Sequence, residues 1–470
     1  MLELRDLGRP ASRHAGPFSS QTEFARAAFG SEAVSRLSGR ANAFLWPSLV
    51  RVGPEAQRLA SAAHAMDGPS GLDSPKRHVE ETAPTSQVWR FARVGTAPGR
   101  MVTGPMLALI SESGDLLARS PGSREPAVRP RFSPSSVMSF FVAEVLLQAL
   151  SHVSSLAHRE TRPRPDMARR LRRIVMTAPV TMPPDAREIL RQRVESAIDL
   201  VWQSYGWSGT GADAADSPDG HLIPLRPEIR LGFDESMATQ VTYLYDVIAH
   251  RWRGSPADYF NLMGKARAEH GPHPTLRVAS LDIGAGSTAL TIVTYAAANE
   301  GAVTPALTLA ESCPIGGERL IEAVVARFLM PAVERALERS GLAEARAFLA
   351  DILGPSPGPA AGAGRDQEGF RQRLGRRVAL PIAQSIMSTY EALGPDTDTD
   401  QYAVRIGDLT LAPDDINRSA IETFEDLAQE AGAVGFRLAE VEIALSRSDI
   451  SATVCAVLRP LITTVSRNRY

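Results

Sequence analysis

Cysteine is scarce in this chain: Cys313 and Cys455 are the two among 470 residues. They stand far apart without metal-type spacing, which excludes a disulfide framework and fits a reducing compartment. Lysine is as rare. Of 51 Lys and Arg residues only Lys76 and Lys265 are lysines, so a lysine beside a turn draws notice. An excess of charge of one sign is lacking too. The formal net charge is −2, which gives no bulk attraction to nucleic acid or anionic lipid. The opening "MLELRDLGRPASRHAGPF" is charged early and lacks the apolar centre of a signal peptide. The most apolar helical stretch, "SVMSFFVAEVLLQAL" (136–150), is short for a bilayer and contains Glu144 and Gln148. The nine His residues are scattered without ligand spacing, and no Ser/His/Asp or Cys/His set stands out. A soluble cytoplasmic protein with no nucleic-acid partner and no membrane span is the expectation.

What is present is an ordinary globular balance, 44% hydrophobic and 22% charged, enough for a real core. The length suggests roughly two to four domains or large subdomains. Residues 1–41 are Ser/Gly/Ala-rich and read as irregular or disordered. Order is expected from "NAFLWPSLVRVGPEAQRLASAA" (42–63), an extended piece, a turn at Gly53-Pro54 and an Ala-rich helix. "MVTGPMLALISESGDLLARS" (101–120) reads as two short strands around a Ser-Gly-Asp turn. A helix is predicted over 133–160, capped by Ser133 or Ser135 with Pro134 in its first turn. Residues 171–207 read as strand, Pro-rich turn and amphipathic helix, and 228–252 as strand, polar turn and helix. Surface loops are expected at 208–220 and 354–369. The tail from 371 is mainly helical, with a strand-turn-strand at 402–412. Strands alternating with helices predict an α/β protein.

One stretch asks for a chemical explanation: "SLDIGAGSTALTIVTY" (280–295). A dinucleotide turn or a P-loop leads into a helix. Here the turn leads into Leu290-Thr291-Ile292-Val293-Thr294-Tyr295, β-branched and aromatic, and no Lys follows it. The prediction is therefore a β-hairpin with Gly284-Ala285-Gly286-Ser287 near its tip. Small residues at such a tip let an anion approach backbone N–H groups. Asp282 can hold Mg²⁺, usually through water, and Ser287 and Thr288 can donate hydroxyls. The spacing alone fits an ordinary hairpin with an Asp-Gly turn equally well.

Other segments occur in an order that carries more weight. Upstream lie Thr177-Ala178-Pro179-Val180 and Asp234-Glu235-Ser236-Met237-Ala238-Thr239; downstream lies Gly316-Gly317-Glu318. With the hairpin they resemble the "TVPA", "NEPTAA", "DLGGGT" and "GGEDF" series of the actin-like ATPase superfamily, in particular its heat-shock chaperone branch. "WPSLVRVGPEAQRLA" (46–60) and "SPKRHVEE" (74–81) resemble that branch's "TPSVV…GDAAK" and "DAKRLIGR". Within the superfamily, "GLDSPKR", "MTAPVTMPPDARE" and "FDESMATQVTYLYD" look most like the SrfB-type virulence-factor proteins. The resemblance covers roughly residues 42–465.

The resemblance implies an actin-like ATPase (ribonuclease H-like) fold of two lobes, 42–270 and 271–470, and ATP with Mg²⁺ as cofactors. It implies that Asp282 holds the metal and that Gly284, Ala285, Gly286, Ser287 and Thr288 cradle the phosphates. Glu235 would orient the attacking water and Lys76 would contact the γ-phosphate. Gly316, Gly317 and Glu318 would bring a helix N-terminus to the nucleotide. Taken singly, Glu235 reads equally as a helix cap, Lys76 and Arg77 as surface charges, and Gly316-Gly317 as a helix entry. The family's first phosphate hairpin and its adenosine turn have no counterparts here, so the resemblance implies a fold incomplete at both ends. Ala285 stands for the middle Gly of the hairpin and Ala289 for an acidic residue. Weak nucleotide affinity and little or no hydrolysis are the expectation. The alternatives are a catalytically inactive scaffold or interaction protein retaining the fold, and, less favoured, a sugar or acetate kinase of the same superfamily.

Overall fold

The computed structural model describes residues 3–467 apart from 8, 10–11, 17, 30–43, 63–68, 93–98, 118–125, 180–181, 208–223, 285, 299–300, 314, 354–373, 393–400 and 410–417. The chain begins in short strands: β1 (Glu3–Arg5), β2 (Arg13–Ala15), β3 (Thr22–Phe24), β4 (Ala28–Phe29), β5 (Phe44–Leu45), β6 (Val50–Val52) and β7 (Gly71–Leu72). The central strand β3 pairs antiparallel with β6 (Phe24↔Val50) and β7 (Thr22↔Leu72). This corrects the expectation that 1–41 is irregular. A three-residue strand carries no periodic signal, and tertiary packing decides it. Phe24 is fully buried and its ring lies 5.0 Å from that of Trp89 and 5.7 Å from that of Phe132.

Helix α1 (Gly53–Ala62) follows β6 where expected. The Ser-Gly-Asp turn also stands where expected, with Gly114 at φ 87°. Its flanks are not the two strands predicted. They meet in one bridge, Ile110↔Leu116, and Pro105–Leu109 is a 3-10 turn. Pro105 has no N–H to give a ladder.

Helix α2 (Pro134–Ser154) is capped by Ser133, whose hydroxyl accepts from Ser136 N–H at 3.1 Å. The predicted helix breaks at Ser155, which is extended. The Ser155 hydroxyl donates to His152 O and accepts from His158 N–H, starting α3 (Leu156–Glu160). At 21 residues α2 exceeds the apolar run that marked it, and it is long and apolar enough to cross a membrane. Most of it is buried within the fold. Its Glu144, wholly buried, accepts from Arg51 Nη1 at 2.5 Å, Trp46 Nε1 at 2.8 Å and Gln148 Nε2 at 2.9 Å. Polar satisfaction of this kind is what lets a carboxylate sit in a core. β8 (Arg173–Ala178) and α4 (Pro184–Ser204) follow as predicted, and α2 and α4 share a core through Leu147, Leu190, Val194 and Ile198.

β9 (Glu228–Asp234) pairs parallel with β8 and runs directly into α5 (Glu235–Asp246). After α6 (Pro256–Met263), a four-stranded antiparallel sheet forms in the order β10-β11-β12-β13: Lys265–Ala266, Pro274–Ile283, Thr288–Ala297 and Val303–Cys313. One face of this sheet packs on α5 and α6, with Leu244, Phe260, Val293 and Tyr295 buried between. That packing draws residues from both sides of the expected 270/271 boundary.

The remainder is mainly helical: α7 (Gly317–Val324), α8 (Met330–Arg339), α9 (Ala345–Ile352), α10 (Leu380–Ala392), α11 (Arg418–Glu430) and α12 (Arg447–Arg467). A π turn, Val325–Leu329, joins α7 to α8. Phe424 centres this core against Phe348 and Phe436. β14 (Gln401–Arg405) stands where the first strand of the expected strand-turn-strand falls, pairs with the distant β15 (Glu442–Ser446) and is followed by the 3-10 turn Ile406–Asp408; residues 410–412 of the expected second strand lie outside the described residues. The loops expected at 208–220 and 354–369 lie outside the described residues. The molecule is mixed α/β, with several small sheets and many helices.

Candidate functional site

The predicted hairpin is present. β11 and β12 pair in register from Thr275↔Ala296 through Asp282↔Ala289 to Ile283↔Thr288. The tip closes through the Gly284 N–H, which donates to Ser287 O at 2.9 Å. Ala285 lies outside the described residues. Two bonds then tie the tip to the start of α7. Gly317 N–H donates to Gly284 O at 2.9 Å, and the Thr288 hydroxyl, buried, donates to Ile315 O at 2.6 Å. Gly316 is the extended N-cap of α7 and offers no side-chain cap.

Asp282 is half-buried, and its carboxylate has no hydrogen-bond or ion-pair partner among the described residues. It shares a sheet face with Ser280, two residues before it. Ser280 Oγ accepts from Gln240 Nε2 at 2.6 Å, so this face lies under α5. Gln240 in turn accepts from the Tyr295 hydroxyl at 2.9 Å. Burial, followed by the Asp234 carboxylate, pushes the Tyr295 phenol up to about 12.

Lys76 and Arg77 occupy a 3-10 turn, Pro75–His78. Lys76 Nζ donates to Thr177 O at 3.2 Å, at the end of β8, and to the Glu235 carboxylate. Glu235 is the first residue of α5, where a carboxylate is favoured by the helix dipole. The cap of α5 is Asp234, whose Oδ1 accepts from Met237 N–H at 2.6 Å. Glu235 is therefore free of the capping role and faces the lysine. Residues 159 positions apart thus meet through their side chains. Beside Lys76 lies an open cavity of about 350 Å³ lined by Met138, Phe141, Val175, Met176 and Thr177.

Arg77 was missed as a site residue by the sequence reasoning. Its Nη1 donates to the Glu318 carboxylate in the first turn of α7. Its guanidinium also lies against the hairpin tip: a Cβ on Gly286 would stand 2.8 Å from Nη2. The signal was its place next to Lys76 in "SPKRH". Four segments far apart in sequence therefore converge, the Pro75–His78 turn, the β9–α5 junction, the 284–288 tip and the start of α7. The structure brings Lys76 to Glu235, and the tip to Gly317 and, through Arg77, to Glu318. Among the described residues no three His, Cys, Asp or Glu side chains gather as a metal cluster.

The chain matches the protein-family model described as virulence factor SrfB over residues 1–466. The chain belongs to the SrfB virulence-factor family. A search of curated proteins gave no match. The SrfB match begins at residue 1 and so takes in β1–β4, the part that the sequence resemblance left out.

Proposed function

We propose that this SrfB-family chain binds a Mg²⁺-nucleotide, ATP first, where the hairpin tip, the Lys76–Glu235 pair and the start of α7 meet, with weak or absent hydrolysis. The observation that carries this reading is the convergence itself. The predicted phosphate residues come from distant segments, and the tip is hydrogen-bonded to α7 through Gly284 and Gly317. The antiparallel β11–β12–β13 meander and the parallel β8–β9 pair support an actin-like, ribonuclease H-like arrangement of this region.

The donor set fits the cofactor. Mg²⁺ binds through one or two carboxylates, waters and substrate phosphates, and Asp282 supplies one unpaired carboxylate. Two cations, Lys76 and Arg77, stand with four carboxylates, Asp234, Glu235, Asp282 and Glu318. A polyphosphate meets net negative charge there and enters only with a divalent cation. When bound, the metal would neutralise phosphate charge and polarise the terminal phosphoryl group. The Gly284–Ser287 tip admits phosphate oxygens close to its backbone. Lys76, held by Thr177 O, would offer its ammonium to a terminal phosphate. A phosphate competing for Lys76 would release Glu235 toward water. The resting pair engages both groups with each other, which would slow turnover.

Calorimetric titration with Mg·ATP, on wild type and on Asp282→Ala, tests this. Heat from wild type and a large loss in Asp282→Ala are expected. No heat from either protein rejects nucleotide binding and favours the scaffold reading. Glu235→Ala is expected to slow turnover more than it weakens binding; equal loss of both contradicts its role.

A further inference from the structure

We propose that Arg77 is a phosphate-receiving residue whose partner is exchanged: Glu318 holds the guanidinium across the tip until a terminal phosphoryl group takes it. The inference rests on the nucleotide reading of this site and adds a residue and a switching contact to it.

Three observations carry it. Arg77 lies against the tip at Gly286, where a Cβ would stand 2.8 Å from its Nη2. Its ion pair with Glu318 joins the Pro75–His78 turn to the first turn of α7, beside the tip. Both side chains are nearly half exposed, 46% and 45%. An exposed pair of this kind holds weakly, so it yields to a stronger acceptor. A phosphoryl group accepts two parallel N–H bonds from a guanidinium, whereas Glu318 takes one, from Nη1. Lys76, by contrast, is fixed by Thr177 O as well as by Glu235. Arg77 is the cation at the site free to change partner on the α7 side. Its release from Glu318 would uncouple the turn from α7 while the Gly317–Gly284 bond stays. Nucleotide binding would then be read out as a change between these two segments.

The test is equilibrium titration of the full chain with Mg·ATP, Mg·ADP, Mg·AMP and inorganic phosphate. Arg77→Ala is expected to weaken Mg·ATP by at least about tenfold, the loss of a charged hydrogen bond. Glu318→Gln removes the competitor and is expected to tighten Mg·ATP about two- to fivefold. Arg77→Lys falls between wild type and Arg77→Ala, since charge remains without the planar fork. Gly286→Ala, whose new methyl displaces the guanidinium, is expected to weaken Mg·ATP without lowering the thermal midpoint. None of these changes should appear with Mg·AMP. If wild type binds Mg·ATP while Arg77→Ala and Glu318→Gln match it, the exchange is wrong and the nucleotide site stands. If neither wild type nor Glu318→Gln binds any nucleotide, both readings fall. Arg77-dependent binding of inorganic phosphate alone keeps the anion exchange and overturns the nucleotide.

Discussion

Tyr295 is the residue that joins the sheet to the helix above the site. Its hydroxyl donates to Gln240, Gln240 donates to Ser280, and Ser280 stands two residues before Asp282 on the same face. The phenol is buried, and its ionisation is pushed from 10.0 to about 12, first by burial and then by the Asp234 carboxylate. The fold therefore favours the neutral phenol. Its contribution to stability is complete below pH 10 and is lost as pH rises toward 12. Phenolate absorbance during an alkaline titration should show a last step that coincides with unfolding. Tyr295→Phe should remove that step and cost about 1–3 kcal/mol, because Gln240 Oε1 loses its buried donor. A tyrosine step near pH 10 that is absent only in the variant would contradict this arrangement.

At the scale of elements, two bonds tie the hairpin to the start of α7, and one of them is backbone to backbone, Gly317 N–H to Gly284 O at 2.9 Å. Gly317 is the first residue of α7 and Gly316 before it is extended, so the position suits proline by dihedral angle, while its Cδ would push away the Gly284 carbonyl that the N–H now meets. Gly317→Pro should keep helix content by circular dichroism, delete that bond and weaken Mg·ATP by about two- to tenfold. Unchanged affinity would mean that the tip is positioned by Thr288 and Ile315 alone. The hairpin was legible in the sequence because β-branched residues after the turn exclude a helix and the small residues mark the tip. Lys76 and Glu235 were legible as candidates only through the order of segments resembling a known family, and their pairing was not. Arg77 and Glu318 as partners were not legible, since no local pattern links residues 241 apart. The strand at Thr22–Phe24 was hidden for a similar reason: its burial comes from Trp89, Phe132 and Phe140, all distant in the chain. Ahead of the Ser-Gly-Asp turn the expected strand is a 3-10 turn from Pro105, which has no N–H to give a ladder. The single predicted helix over 133–160 divides because Ser155 bonds the backbone on both sides of itself.

At the scale of the whole molecule, the apolar residues form separate clusters. One lies around Phe24 and Trp89, one between α2 and α4, one under α5 and α6, and one in the C-terminal helices. The site segments emerge from different clusters and meet through polar contacts: Lys76 to Glu235, Arg77 to Glu318, Gly317 to Gly284. Such junctions bury little apolar surface and open at lower free energy than the cores around them. A ligand that bridges them should therefore protect them more than it protects the cores. The direct measurement is hydrogen–deuterium exchange of the full chain with and without saturating Mg·ATP. The account predicts slowed exchange in the peptides covering 75–78, 284–288 and 316–318, absent in Asp282→Ala. Unchanged exchange in those peptides, or protection confined to other parts of the chain, would contradict it.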